Sequence, residues 1–135
     1  MKKKNLSAKK IIHNFYFKKL DDPRIKRIYL NFKKKISSHA PNSFCVAVSG
    51  GVDSMALSFL AKCYSLENNK KVYFFIVDHK LRKNSTIEAN LVKKKLKLFH
   101  ISSNILTIKK IHKKINFQSF AIFNIYQLII NQSLT

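Results

Sequence analysis

Tryptophan is absent, and glycine, proline and cysteine occur only twice each in the 135 residues. The two cysteines, Cys45 and Cys63, are too few for a disulfide framework. They form no C-x-x-C pair, which argues against a zinc or iron–sulfur site. They read as small buried apolar residues. No apolar run reaches the ~18 residues of a transmembrane helix, so no membrane partner is expected. The start Met1-Lys-Lys-Lys-Asn is followed by no hydrophobic signal region. A reduced, cytoplasmic setting fits these absences. Acidic residues are scarce as well, with six Asp+Glu against 27 Lys+Arg and a formal net charge of +21.

That excess suits a polyanionic partner, nucleic acid before an acidic membrane surface. Only Arg24, Arg27 and Arg82 among the cations are arginines. Lysine attracts phosphate without direction, whereas arginine grips it with two parallel bonds. A general bias towards Lys, Asn, Ile and Phe accounts for the same charge without selecting a partner, and both readings stand. Hydrophobic residues make up 46% of the chain, enough for a globular core.

The length allows one domain. It reads as a basic helical segment over 1–42 and an α/β domain over 43–135. Residues 5–38 are helical in pattern, interrupted near Asp21-Asp22-Pro23. Asp22 suits an N-cap and Pro23 the first helical position. The run Ser-Phe-Cys-Val-Ala-Val over 43–48 reads as a buried strand, and 53–65 switch to helical spacing. Residues 71–77 form a second strand, stopped by Asp78-His79. Ser85-Thr86-Ile87-Glu88 has the form of a capping box opening a helix to about Phe99. Ile105–Ile108 is a third strand, and a last helix runs from Asn116 to about Asn131. Alternating strands and helices predict a parallel sheet with right-handed crossovers. Its ligands belong beyond the carboxyl ends of the strands.

Both glycines are adjacent, in Ala47-Val48-Ser49-Gly50-Gly51-Val52-Asp53-Ser54. A strand enters this loop and a helix leaves it. Glycine removes the Cβ atoms that would keep an anion from the backbone N–H groups. The helix start adds partial positive charge and unpaired donors. Ser49 and Ser54 add hydroxyls. The result is a cradle for a phosphate chain, without the Gly-Lys-Ser/Thr of a Walker A loop. A carboxylate beside phosphate is repulsive unless a cation stands between them. Asp53 is therefore a candidate Mg²⁺ ligand on the pyrophosphate of ATP.

Ser49-Gly50-Gly51-Val52-Asp53-Ser54 resembles the S-G-G-x-D-S loop of the PP-loop ATP pyrophosphatases. Ile76-Val77-Asp78-His79-Lys80-Leu81-Arg82 resembles the V-D-H-G-L-R segment of the tRNA(Ile)-lysidine synthase family, and Ser85 and Glu88-Ala89 follow as they do there. Asn116-Phe117-Gln118, Ala121 and Tyr126-Gln127-Leu128 are similar to that family's N-I-Q…A-R…R-Y-x-L helix. The resemblance covers roughly residues 27–128. It implies a Rossmann-like sheet of the adenine nucleotide alpha hydrolase type with flanking helices. It implies an ATP-dependent ligase joining L-lysine to C2 of the wobble cytidine of CAU-anticodon tRNA(Ile). The route runs through an adenylated tRNA, with pyrophosphate and then AMP released. Residues Ser49, Gly50, Gly51, Val52, Asp53 and Ser54 then bind ATP, and Asp53 is the catalytic Mg²⁺ ligand. Asp78, His79 and Arg82 face nucleotide or RNA.

Two departures accompany the resemblance. The two family arginines of the late helix are replaced by Ile122 and Ile125, which carry neither charge nor donors. The family's H-N-x-D-D-x-x-E-T segment is not found before Thr135. The expectation is an N-terminal part, incomplete at its C-terminal end, of a longer enzyme or one completed by a second polypeptide. The alternative is a non-catalytic, basic nucleotide- or RNA-binding fragment.

Overall fold

The computed structural model describes residues 2–39 and 42–107. Helix α1 (Lys2–Phe17) passes through a 3-10 turn (Lys18–Asp21) into α2 (Pro23–His39). The break falls where Pro23 has no N–H to continue a helix. Asp22 caps α2 as its sequence position suggested. Its Oδ1 accepts the Arg24 N–H at 2.8 Å, and Pro23 takes the first helical position.

Strand β1 (Ser43–Ala47) leads into α3 (Val52–Asn68), β2 (Lys71–Asp78), α4 (Ser85–Leu98) and β3 (Asn104–Thr107). The sheet order is β1-β2-β3. Strands β2 and β3 pair in parallel from Phe75 opposite Asn104 to Asp78 opposite Thr107. This is a parallel Rossmann-like sheet with flanking helices. Consecutive Phe74, Phe75 and Ile76 are all buried, so β2 is covered on both faces, as an unbroken apolar run requires. The helix expected over Asn116–Asn131, with Ile122 and Ile125, lies outside the described residues, as does the end of the expected third strand at Ile108.

Contacts divide the chain into two units. Among the described residues, one holds those up to Phe44 together with Phe59–Val72, and the other holds Cys45–Ser58 and those from Tyr73 to Thr107. The first unit is built on Tyr16, Tyr29, Cys63 and Tyr64, ringed by partly buried residues such as Phe32, Phe44 and Leu60. Tyr16 stacks on Phe59 at 5.2 Å between ring centroids. Burial pushes the Cys63 thiol up to about 12, so this cysteine is a packing residue rather than a reactive one. The Tyr29 hydroxyl donates to Glu67, whose other oxygen accepts Lys33 Nζ at 2.8 Å. A half-buried carboxylate thereby ties α2 to the last turns of α3.

The second unit carries the sheet ends. Val46, Val48, Phe75, Ala89, Val92 and Leu96 are among its buried residues. Helix α4 ends on left-handed His100. The Ile101 N–H returns to the Leu96 carbonyl at 2.9 Å and the His100 N–H to Lys97 at 3.0 Å, which satisfies carbonyls left open by the helix end. Its start corrects the expected capping box. Asn84 is the cap residue and makes no side-chain cap bond. The Ser85 hydroxyl instead donates to Asp78, and the Glu88 carboxylate meets Arg82. Ser85 is the first helical residue, one past the cap position, so its hydroxyl points to the buried carboxylate at the end of β2 rather than to the helix N–H groups.

Candidate functional site

The loop between β1 and α3 closes on its own hydroxyls. Ser54 Oγ accepts from the Gly50 N–H and from Ser49 Oγ, each at 3.1 Å, and donates to the Gly51 carbonyl at 3.0 Å. Ser49 Oγ sits 3.4 Å from the Gly51 nitrogen. The first helical bond is from Met55 N–H to the Gly51 carbonyl at 3.0 Å. The N–H groups of Val52, Asp53 and Ser54 therefore have no carbonyl behind them in the helix. They form a rim of open donors that begins one residue earlier than the sequence pattern placed it.

The two glycines do different work. Gly50 has φ +89°, and a Cβ there would lie 2.3 Å from Val92 Cγ2. Its lack of a side chain is required by backbone conformation and by packing on α4. At Gly51 the nearest contact for a Cβ is Ser49 Oγ at an ordinary 3.7 Å. Nothing in the fold requires glycine there. What the missing Cβ leaves is open approach to the backbone, which is what a phosphate needs.

Asp53 is exposed in the first turn of α3. The chain has six acidic residues. Asp22, Glu67, Asp78 and Glu88 each pair with a cation, whereas among the described residues Asp21 and Asp53 have no ion pair, and of these two only Asp53 lies at the β1–α3 loop. Leaving a carboxylate unpaired in so basic a chain keeps it available to a metal ion. Among the described residues no cluster of three or more His, Cys, Asp or Glu could hold a metal alone. Such a lone carboxylate would suit Mg²⁺ carried by phosphates, which typically takes one or two carboxylates from the protein and keeps water on its other positions.

Beyond the ends of β1 and β2 lies a cleft of roughly 360 Å³, lined by Ser49, His79, Arg82, Ser85, Glu88 and Val92 among others. It brings together three of the residues singled out from sequence: Ser49, His79 and Arg82. His79 Nδ1 accepts the Leu81 N–H at 3.3 Å. Arg82 meets Glu88 at 3.3 Å, and both side chains are exposed, so the pair is easily exchanged for another anion. Val52, 86% exposed, lies outside the lining, as does Asp53.

Asp78 stands apart. Its side chain is 1% exposed and turned to protein donors. Oδ1 accepts Ser85 Oγ at 2.8 Å and the Lys80 N–H at 3.1 Å. Oδ2 accepts Thr86 Oγ1 at 2.7 Å and lies 3.3 Å from Lys80 Nζ. Burial alone would raise this carboxyl, but the bonds from Thr86, Ser85 and Lys80 outweigh it and hold the group down at about 2. The roles of Val92, Thr86 and Lys80 had no signal in the sequence. Each depends on a partner that only folding brings near.

The geometry now has a context among known proteins. A family profile described as PP-loop domain matches residues 22–134. The chain is 37% identical over 91 residues to the tRNA(Ile)-lysidine synthase of Orientia tsutsugamushi (strain Boryong), covering 64% of this chain and 20% of the relative. It is 36% identical over 62 residues to the proteins of that name from Rickettsia rickettsii (strain Sheila Smith) and Rickettsia bellii (strain OSU 85-389). These matches cover 46% of this chain and 13% and 14% of the relatives. The matched region thus spans about a fifth or less of the length of these curated relatives.

Proposed function

Because the chain belongs to the PP-loop domain family, we propose that its β1–α3 loop binds the phosphates of ATP in a cytoplasmic tRNA(Ile)-lysidine synthase reaction. The carrying observation is the exposed Asp53 without an ion pair, set beside an open Gly51 at a helix N-terminus. In this reading the N–H groups from Gly51 to Ser54 take phosphate oxygens, and the Ser49 and Ser54 hydroxyls turn from each other to the ligand. Asp53 would hold Mg²⁺, which when bound neutralises charge on the pyrophosphate leaving group. The cleft beside the loop receives the remainder of the nucleotide, with His79 and Arg82 at its edge.

In the overall chemistry the C2 carbonyl oxygen of the wobble cytidine of CAU-anticodon tRNA(Ile) attacks the α-phosphate of ATP, forming an O2-adenylate and releasing pyrophosphate. The amine of L-lysine then displaces AMP. Asp78 fits a positioning role better than contact with nucleotide or RNA, since its oxygens are engaged by protein donors. The test is ATP-dependent pyrophosphate release with CAU-anticodon tRNA(Ile) and lysine. Release lost in Asp53→Ala supports the assignment, and release unaffected by that change contradicts it.

Ile122 and Ile125 favour a second reading, in which the chain binds nucleotide and RNA without turnover. Two side chains without charge or donors cannot stabilise the charge that develops on a transferring phosphate. ATP binding that depends on Asp53, with no pyrophosphate release in the presence of tRNA, selects it.

A further inference from the structure

Among the described residues, three non-glycine residues adopt positive φ: Asn69, Lys80 and His100. Asn69 and His100 follow the ends of α3 and α4, where a left-handed residue commonly closes a helix. Lys80 does not. It lies at φ +54° in the connection from β2 to α4, in a left-handed conformation that is unfavourable for a non-glycine residue. In the segment this one resembles, V-D-H-G-L-R, that position is glycine. Lysine has no short polar group to offset the strain locally, as Asn or Asp would.

What offsets it is Asp78. The Lys80 backbone N–H donates to Asp78 Oδ1 at 3.1 Å. Its ammonium folds back to Thr86 Oγ1 at 2.6 Å and to Asp78 Oδ2 at 3.3 Å. Lys80 is the cation that Asp78 pairs with, and a buried carboxylate that loses its countercharge is strongly destabilised. Strain and charge thus support each other: the left-handed turn brings the ammonium to the carboxylate, and the carboxylate holds the turn. His79 and Arg82, on either side, are both delivered to the cleft, and Lys80 is absent from its lining.

We propose that Lys80 is a positioning residue, an ammonium staple that fixes the 79–82 connection at the cleft edge in place of a glycine's freedom. The nucleotide part of this proposal rests on the reading of the preceding subsection, but the staple does not. The test is amide hydrogen exchange on the full chain, comparing wild type with Lys80→Met, Lys80→Gly and Lys80→Arg. Two amides report on the connection, Leu81 (to His79 Nδ1) and Ser85 (to the Arg82 carbonyl at 3.1 Å). Phe75 and Ile76 report on the sheet.

Lys80→Met keeps the strain and loses the charge, so Leu81 and Ser85 should exchange on the order of tenfold faster, a larger change than at Phe75 and Ile76. Lys80→Gly, which removes the strain and is compatible with this φ, should still loosen the connection. Lys80→Arg should restore most of the protection. Equal protection in wild type and Lys80→Gly would overturn the staple, as would faster exchange spread evenly into β2. ATP affinity measured on the same variants should fall in step with lost protection. If wild type binds no ATP, the functional reading fails while the exchange data still decide the staple.

Discussion

At the scale of single residues, the two glycines separate stability from binding. Gly50→Ala forces a Cβ against Val92 and requires left-handed alanine, which together cost roughly 2–4 kcal/mol. Thermal unfolding should show a clear fall in midpoint. Gly51→Ala should cost no more than about 1 kcal/mol, the difference between glycine and alanine at a helix cap. Its effect should appear instead in ATP affinity, because the added methyl blocks the approach to the backbone. Equal losses of stability in the two variants would contradict this division. The Ser49–Ser54 loop was legible before folding because its donors, glycines and carboxylate are contiguous in sequence. Lys80 was not, because nothing in its side-chain chemistry announces a positive φ.

At the scale of elements, the junction of β2 with α4 is organised by one carboxylate. Asp78 is held near 2, below its ordinary value, so its contribution to stability is full above about pH 4. As pH falls from about 4 towards 2 the group gains a proton, and on the order of 2 kcal/mol should be lost. Glu67 is also lowered: burial opposes its charge, but the bonds from Lys33 and Tyr29 prevail, so it adds loss in the same direction. Unfolding midpoints measured between pH 5 and 2 should therefore decline more steeply in wild type than in Asp78→Asn. Parallel curves would count against the assignment. Strands β1 and β2 were readable as apolar runs ending in loop residues, since burial on both faces leaves that mark directly in sequence. The capping box does not form because the helix begins at Ser85 itself with Asn84 at the cap, and the acceptor that takes the Ser85 hydroxyl lies seven residues back, on another element.

At the scale of the whole molecule, charge is the dominant feature. Only six carboxylates are present to meet 27 Lys and Arg, so most cations have no acidic partner within the chain. No helix of the described residues is long and apolar enough to cross a membrane. Binding of RNA should therefore weaken steeply with salt, with a log–log slope of several units as displaced counterions are released. Filter binding across a salt series reads this slope, and salt-independent binding would contradict it. The alternation of strands and helices was visible in the sequence. The division into two units was not, because α3 contributes its first turns to one and its remainder to the other.

The most direct test of the central claim is calorimetric titration of ATP into wild type and Asp53→Asn, each with and without Mg²⁺. Asp53 is exposed and has no ion pair among the described residues, so the substitution should cost no more than the roughly 0.3–1 kcal/mol of a carboxylate in a first helical turn and leave the protein folded. The account predicts that wild type binds ATP more tightly when Mg²⁺ is present and that Asp53→Asn loses this gain. Mg²⁺-dependent binding of equal strength in both proteins, or no binding of ATP to folded wild type, would contradict it.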